Sequence, residues 1–178
     1  MTEKQQELWE ACAGFHGHKC GGLAIGFQAA WYASQLLGLN FSEDEEVVCV
    51  AENDACGVDA IQVMLGCSIG KGNLLFRMRG KQAFNFFNRK TGKSVRLVLQ
   101  DIQEIPKEER MTHILSTNPS DLFLVKPVSF ELPETARIFQ SYPCENCGEV
   151  VAENAVRMEN GKKLCLDCYH SYDRFSVN

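Results

Sequence analysis

The chain has 178 residues, 45% apolar and 23% charged, enough for one ordinary domain with a real core plus a small appendage. Its formal net charge is −5 and it has no basic arm, which weighs against broad binding to nucleic acid, a task that needs clustered Lys and Arg. Residues 1–10 are polar and acidic rather than basic and then apolar, and the longest apolar stretch, residues 23–39, contains Gln28, Ser34 and Gln35, so neither a secretory leader nor a membrane span is expected.

Nine cysteines without a leader point to a reducing, cytoplasmic compartment, where they serve as metal ligands or reactive thiols rather than as a disulfide framework. Thr2 followed by Gln5 reads as a capping box. It opens a short helix with Leu8, Trp9 and Cys12 on its apolar face, reaching towards Phe15.

Residues 15–22, Phe-His-Gly-His-Lys-Cys-Gly-Gly, then place two of the four histidines and one cysteine within five positions. Gly17, Gly21 and Gly22 argue against a regular helix here. In an extended segment, side chains at i, i+2 and i+4 point to one side, so His16, His18 and Cys20 would face a common ion or substrate. A helical apolar pattern follows over residues 20–37, on Leu23, Ala24, Phe27, Ala30, Trp31, Ser34 and Leu37, and Gly38 is its stop. Cys20 then lies at a helix N-terminus, where the dipole favours a thiolate. The plainer alternative is a loop with surface histidines and a buried cysteine.

Residues 40–46 form an acidic loop and residues 47–51 a buried strand. A third helix is expected to start at Asn53 or Asp54 as N-cap and to carry Ala60, Ile61, Val63, Met64 and Leu65. Cys56 would lie in its first turn, again placed to be a thiolate and a nucleophile, although a simply buried cysteine is the alternative. The glycine-rich residues 66–73 contain Gly70-Lys71-Gly72 but are not a nucleotide loop. The first gap is one residue short, Gly72 stands where the Mg²⁺-binding hydroxyl belongs, and the loop follows a helix. Lys71 and backbone N–H groups there could still meet a small anionic substrate.

Residues 74–78, 83–87 and 95–99 read as an antiparallel sheet, with a glycine turn at 89–93. The basic set Arg77, Arg79, Lys81, Arg89, Lys90, Lys93 and Arg96 reads first as a solvated sheet face, and second as a docking site for an anionic substrate or partner. A fourth helix is expected over residues 106–115 and a strand over 121–126. The proline-bracketed residues 127–133 lead into a new composition. The expected division is a core of residues 1–130, a linker of 131–142 and a module of 143–178.

In that module Cys144, Cys147, Cys165 and Cys168 have the spacing C-x₂-C-x₁₇-C-x₂-C, the most specific signal in the chain. Four thiolates so spaced fit a tetrahedral structural zinc ion with a closed coordination sphere. Asn160-Gly161 marks a hairpin between residues 150–158 and 162–164, and a final helix should start at Cys165 and carry Tyr169, Tyr172 and Phe175. Knuckle, hairpin and helix is a treble-clef order, and so small a segment needs its metal to fold. The module carries four basic and six acidic residues, which suits protein contact better than nucleic acid.

Three ordered motifs resemble the FmdE family of formylmethanofuran dehydrogenase proteins: Phe15-His16-Gly17-His18-x-Cys20-x-Gly22-Leu23-Ala24-x-Gly26, Cys56-Gly57-Val58-Asp59-Ala60-Ile61-Gln62, and Gly66-Cys67-x-x-Gly70-Lys71-Gly72-Asn73-Leu74. The resemblance covers roughly residues 10–130, and the C-terminal module resembles the zinc finger that some members carry. Gly21 stands where the family commonly has proline, which removes a rigid φ without removing a ligand. The resemblance implies an α+β core, a homodimer, and motif histidines and cysteines gathered in one site. It does not imply formylmethanofuran oxidation by this chain alone, because the pterin chemistry belongs to other subunits.

Two functions follow as expectations. The first is a metal- or thiol-dependent, oxidoreductase-related enzyme. In it His18 and Cys20, with His16 or Cys56, hold a second transition-metal ion beside the structural zinc, or Cys56 attacks as nucleophile, while Lys71 steadies an anionic substrate. The second is a non-catalytic accessory protein that binds a metal, a cofactor or an oxidoreductase partner.

Overall fold

The computed structural model describes residues 1–174. The chain divides into two compact units, Met1–Ala136 and Arg137–Asn178.

The first unit is α+β. It contains α1 (Glu3–His16), α2 (Gly21–Leu37), β1 (Val47–Ala51), α3 (Gly57–Leu65), β2 (Leu74–Phe76), β3 (Ala83–Asn88), β4 (Ser94–Leu99), α4 (Arg110–Ser116), α5 (Pro119–Leu122) and β5 (Phe123–Lys126). The strands form one sheet in the order β2-β1-β3-β4-β5. It is antiparallel as expected, except that β2 runs parallel to β1, with Cys49 opposite Leu74. The sheet is therefore mixed. Its one parallel pair needs a crossover, and α3 is that crossover.

Local chemistry sets most of these elements. The Thr2–Gln5 capping box closes both ways. Gly38 stops α2 in the left-handed conformation, and Gly92 turns the β3–β4 hairpin at φ +70°. Three element starts differ from expectation. The α3 helix begins at Gly57, because Asn53 is engaged elsewhere: its Oδ1 accepts from Ala55 N–H and its Nδ2 donates to the Lys81 carbonyl. The α4 helix begins at Arg110 rather than Pro106. Asn118 caps the short α5, so β5 starts at Phe123.

The helices cover one face of the sheet. Phe27 and Trp9 meet edge to face at 5.5 Å, and Leu23, Ile61, Leu65, Phe84, Phe86, Leu97 and Ile114 are fully buried around them. On the opposite face Phe130 packs against Phe87. The backbone N–H of Ala136 reaches Glu45, and Arg89 donates to the Glu134 carbonyl, so residues 130–136 are held to the first unit. Asn73, wholly buried, accepts from Ser68 N–H and donates to the Asp44 and Val47 carbonyls, which pins the 66–73 loop.

The tightest helix contact is α2 on α3. A Cβ built on Gly26 would overlap the Gly57 backbone, including its carbonyl. Only two glycines let the backbones approach so far.

In the second unit β6 (Ser141–Pro143) pairs with β7 (Val150–Ala152), and β8 (Arg157–Glu159) pairs with β9 (Lys162–Leu164). The Asn160-Gly161 turn has positive φ at both residues, as a type I′ turn requires. A 3₁₀ turn at Glu153–Ala155 splits the expected long strand in two. The final helix is corrected: residues 166–168 form a turn and no helix begins at Cys165 among the described residues, while Phe175 lies outside them. No helix among the described residues is long and apolar enough to cross a membrane.

This packing has measurable consequences. Gly26→Ala gains helix propensity of about 1 kcal/mol but overpacks the α2–α3 contact by about 3 kcal/mol, a net loss of about 2 kcal/mol in urea unfolding. Gly14→Ala, with open space around its built Cβ, instead stabilises by about 1 kcal/mol. A pH dependence arises at Glu52, which is buried and bonded twice by Arg96, at 2.7 and 2.8 Å, and once by Asn85. The Arg96 guanidinium holds the Glu52 carboxyl at about 2, below its ordinary 4.5. A lowered carboxyl pKa stabilises the fold above its unfolded value and loses that contribution as pH falls through the folded one. Unfolding free energy should therefore drop between pH 4.5 and about 2, and the paired variant Glu52→Gln/Arg96→Met should show a shallower acid limb.

Candidate metal centre and its cleft

Helix α1 runs through His16 and stops at Gly17, which takes φ +89° and bonds back to the Ala13 carbonyl. His16 is thus the last residue of a helix, not the first of an extended triad. The chain then turns to Cys20, the N-cap of α2, whose Sγ accepts from Leu23 N–H at 3.3 Å. Cys56 is the N-cap of α3. The Gly26–Gly57 contact brings the starts of α2 and α3 together. Gly22 keeps the space between the thiols clear: a Cβ there would stand 3.2 Å from Cys56 Cβ, 3.5 Å from Cys56 Sγ and 3.8 Å from Cys20 Sγ.

The outcome is a trio. Donor atoms of His16, Cys20 and Cys56 all lie within 4.8 Å of one another. Ligand bonds of about 2.0–2.3 Å place tetrahedral neighbours about 3.5–3.8 Å apart, so the trio is near enough to close on one ion by a small contraction. His16 Nδ1 is 2.7 Å from Asp59 Oδ2, and Gln62 donates to the other Asp59 oxygen at 3.0 Å. With Nδ1–H held by that carboxylate, the free Nε2 lone pair faces Cys20 Sγ at 3.9 Å. A carboxylate behind an imidazole is the usual device for fixing a ligating histidine.

Cys56 does not behave as its helix position predicts. Burial, then the charge of the neighbouring Cys20, pushes its thiol up rather than down. Two thiolates side by side call for a cation between them, and a divalent ion would reverse the balance. Burial pushes Cys12 to about 11 and Cys67 to about 12 and raises Cys49 well above its ordinary value, so these three are inert core thiols.

Two expected residues are displaced. His18 is not one of the three donors; its ring lies against His16 at 4.4 Å, because the helix end turns the two histidines away from a common extended face. Lys71 does not line the site either. Its Nζ donates to the Ser42 carbonyl at 2.6 Å and sits over the Phe41 ring, bracing the acidic loop. Asp59 is a site residue that the motifs alone do not assign to a role, yet a signal exists: it follows Cys56 by three positions, one turn along the same helix face. The basic set on the sheet is also partly consumed. Arg96 pairs with Glu52, Arg89 with Glu45, and Arg77 stacks on Phe130.

Cys20, Gly22 and Cys56 open onto a cleft of about 530 Å³. Its walls are Ile25, Ile102, Met111 and Ile114, and its rim carries His18, Lys19, Lys107, Glu108 and Arg110.

In the second unit Cys144, Cys147, Cys165 and Cys168 form a second cluster with donors within 4.8 Å, and together they can hold a metal ion. Backbone N–H groups of Cys147, Cys165 and Asn146 converge on Cys144 and hold its thiol at about 6. Asn146 also donates to Cys168 Sγ at 3.3 Å. Gly148, at φ +80°, supplies the turn after the first pair. His170 stands apart, against Glu159.

Known proteins share this architecture. A crystal structure at 1.90 Å of a tungsten formylmethanofuran dehydrogenase FmdE-like protein from Syntrophus aciditrophicus superposes with a TM-score of 0.69. It is 26% identical and the match covers 92% of this chain and 91% of that one. A probable S-adenosyl-L-methionine-binding protein from Archaeoglobus fulgidus is 29% identical over 192 aligned positions, 89% of this chain; the chain spans about half of that relative, 51%. The FmdE family, described as molybdenum formylmethanofuran dehydrogenase operon, matches residues 15–122, more than half of the chain, and includes all three donors and Asp59. The chain belongs to the FmdE family.

Proposed function

We propose that this FmdE-family protein is a metal-dependent, oxidoreductase-related enzyme with two unlike metal centres. The core centre is His16, Cys20 and Cys56, open towards the cleft; the second is a structural zinc ion on the four C-terminal cysteines. The observation that carries the reading is the Asp59–His16 bond of 2.7 Å, which leaves the other imidazole nitrogen beside Cys20 and Cys56, two cysteines that line the cleft. Three protein ligands leave a coordination position for substrate, whereas four close the sphere. A divalent ion in the core centre supplies Lewis acidity. The chain's own part is to orient His16 through Asp59, to hold two thiolates at helix starts, and to shield the position with Ile25, Ile102, Met111 and Ile114.

The donor chemistry supports zinc at the four-cysteine site: thiolates at a knuckle and a hairpin end, with N–H groups already aimed at sulfur. A second reading draws on the archaeal relative. An accessory role, in which the cleft carries S-adenosyl-L-methionine, is supported by that relative's name and by a cleft volume within the usual range for such ligands.

Metal analysis of protein purified without added metal should give two ions per chain. Cys20→Ala/Cys56→Ala should keep one, Asp59→Asn should weaken the core ion about 10- to 100-fold, and His18→Ala should keep both. One ion in the wild type would sink the core centre. Stripping the remaining ion with a strong chelator should abolish amide protection over residues 144–168 and leave α2 and β3 protected. Calorimetric titration with S-adenosyl-L-methionine decides the second reading, and an absence of saturable heat removes it.

A further inference from the structure

We infer that the cleft beside the core centre takes a small organic monoanion: an acidic head, a body of a few apolar carbons, and an electron-pair donor at the far end. This rests on the metal reading above and names the class of molecule that the open position receives.

Charge is the first argument. Two thiolates and a neutral imidazole cancel a divalent ion, so the centre itself asks for no particular ligand charge. The rim does. Lys19 is neutralised by Glu10 at 2.6 Å. Arg110 donates from Nε to the Ile105 carbonyl and from Nη2 to the Gln103 carbonyl, contacts that fix the guanidinium without cancelling its charge. Lys107 makes no ion pair among the described residues. Among the residues that line the cleft, Lys107 and Arg110 stand with one acid, Glu108, so with Lys19 paired the lining counts one more basic than acidic residue, in a protein whose net charge is −5.

Spacing is the second argument. Gly21 and Gly22 are successive residues, yet they touch different ends of the cleft. A Cβ on Gly21 would lie 3.6 Å from Arg110 Cβ, while one on Gly22 would lie 3.2 Å from Cys56 Cβ. Consecutive Cα atoms are about 3.8 Å apart, so with the two contacts added the start of α4 and Cys56 are about 10 Å apart or less. The inferred ligand spans this gap, its head at the Arg110–Lys107 rim and its donor end at the sulfurs. The walls it would cross are Ile25, Ile102, Met111 and Ile114, which give no partner to a polar body.

The experiment uses the full chain loaded with cobalt(II). The visible absorption that wild type has and Cys20→Ala/Cys56→Ala lacks reports the core ion alone. The probes are 4-sulfanylbutanoate and 4-sulfanylbutan-1-ol, which share a donor and a body and differ in the head. Both should shift the core band, the acid with roughly tenfold higher affinity, as a charge-assisted contact provides. Lys107→Met should cut the acid's affinity several-fold and leave the alcohol's unchanged. Equal affinities with cobalt still counted at the core would overturn the anion inference and leave the metal reading intact. No core cobalt band at all would overturn the metal reading and this inference with it.

Discussion

The approach of α2 to α3 at Gly26 and Gly57 is the constraint on which the core site depends. A side chain at Gly26 would occupy the backbone of its partner, so the two helices can meet this closely only where both residues lack a Cβ. The approach sets the distance between the two helix starts, and those starts carry Cys20 and Cys56. Gly22, one turn before Gly26, keeps the gap between the sulfurs free of carbon. Three glycines in two helices thus do in space what the sequence does not do along the chain: they make neighbours of cysteines that are far apart in it.

His16 joins from a third direction. It arrives on the last turn of α1, stopped by Gly17, and is steered by Asp59 on α3. The helix that supplies one sulfur therefore also supplies the group that orients the imidazole. Within the trio, burial and a neighbouring sulfur both oppose ionisation of Cys56. A cation relieves both at once. The four-cysteine cluster handles the same difficulty differently. There, backbone N–H groups of the knuckle point at Cys144 and favour its thiolate before any ion arrives. One site is made receptive by packed helices, the other by a turn.

Much is legible in the chain. The capping box at Thr2, the α2 stripe, the glycine stops, β1 and the Asn160-Gly161 turn are local devices, and local devices leave local signatures. The spacing of the four C-terminal cysteines is of the same kind. The elements that differ from expectation share a cause. Asn53 has the chemistry of a cap but serves a turn and the Lys81 carbonyl. Lys71 has the chemistry of a substrate ligand but braces the Ser42 carbonyl. His18 is equivalent to His16 in the motif, yet His16 meets Asp59 and the two sulfurs while His18 packs on its ring at the cleft rim. In each instance the side chain has more than one local option, and tertiary surroundings choose between them.

By itself, then, the sequence determined the α+β class, most helical and strand segments and the four-thiolate cluster, because periodicity, caps and short-range ligand spacing are written in consecutive residues. It also identified Cys20 and Cys56 as helix-start cysteines. Only the tertiary structure decided that these two lie in one cluster with His16, that Asp59 bonds His16, and that β2 joins the sheet in parallel. Those outcomes depend on how closely two helices pack and on which face of a turn points inward, and packing distance is not a property of any one stretch of chain.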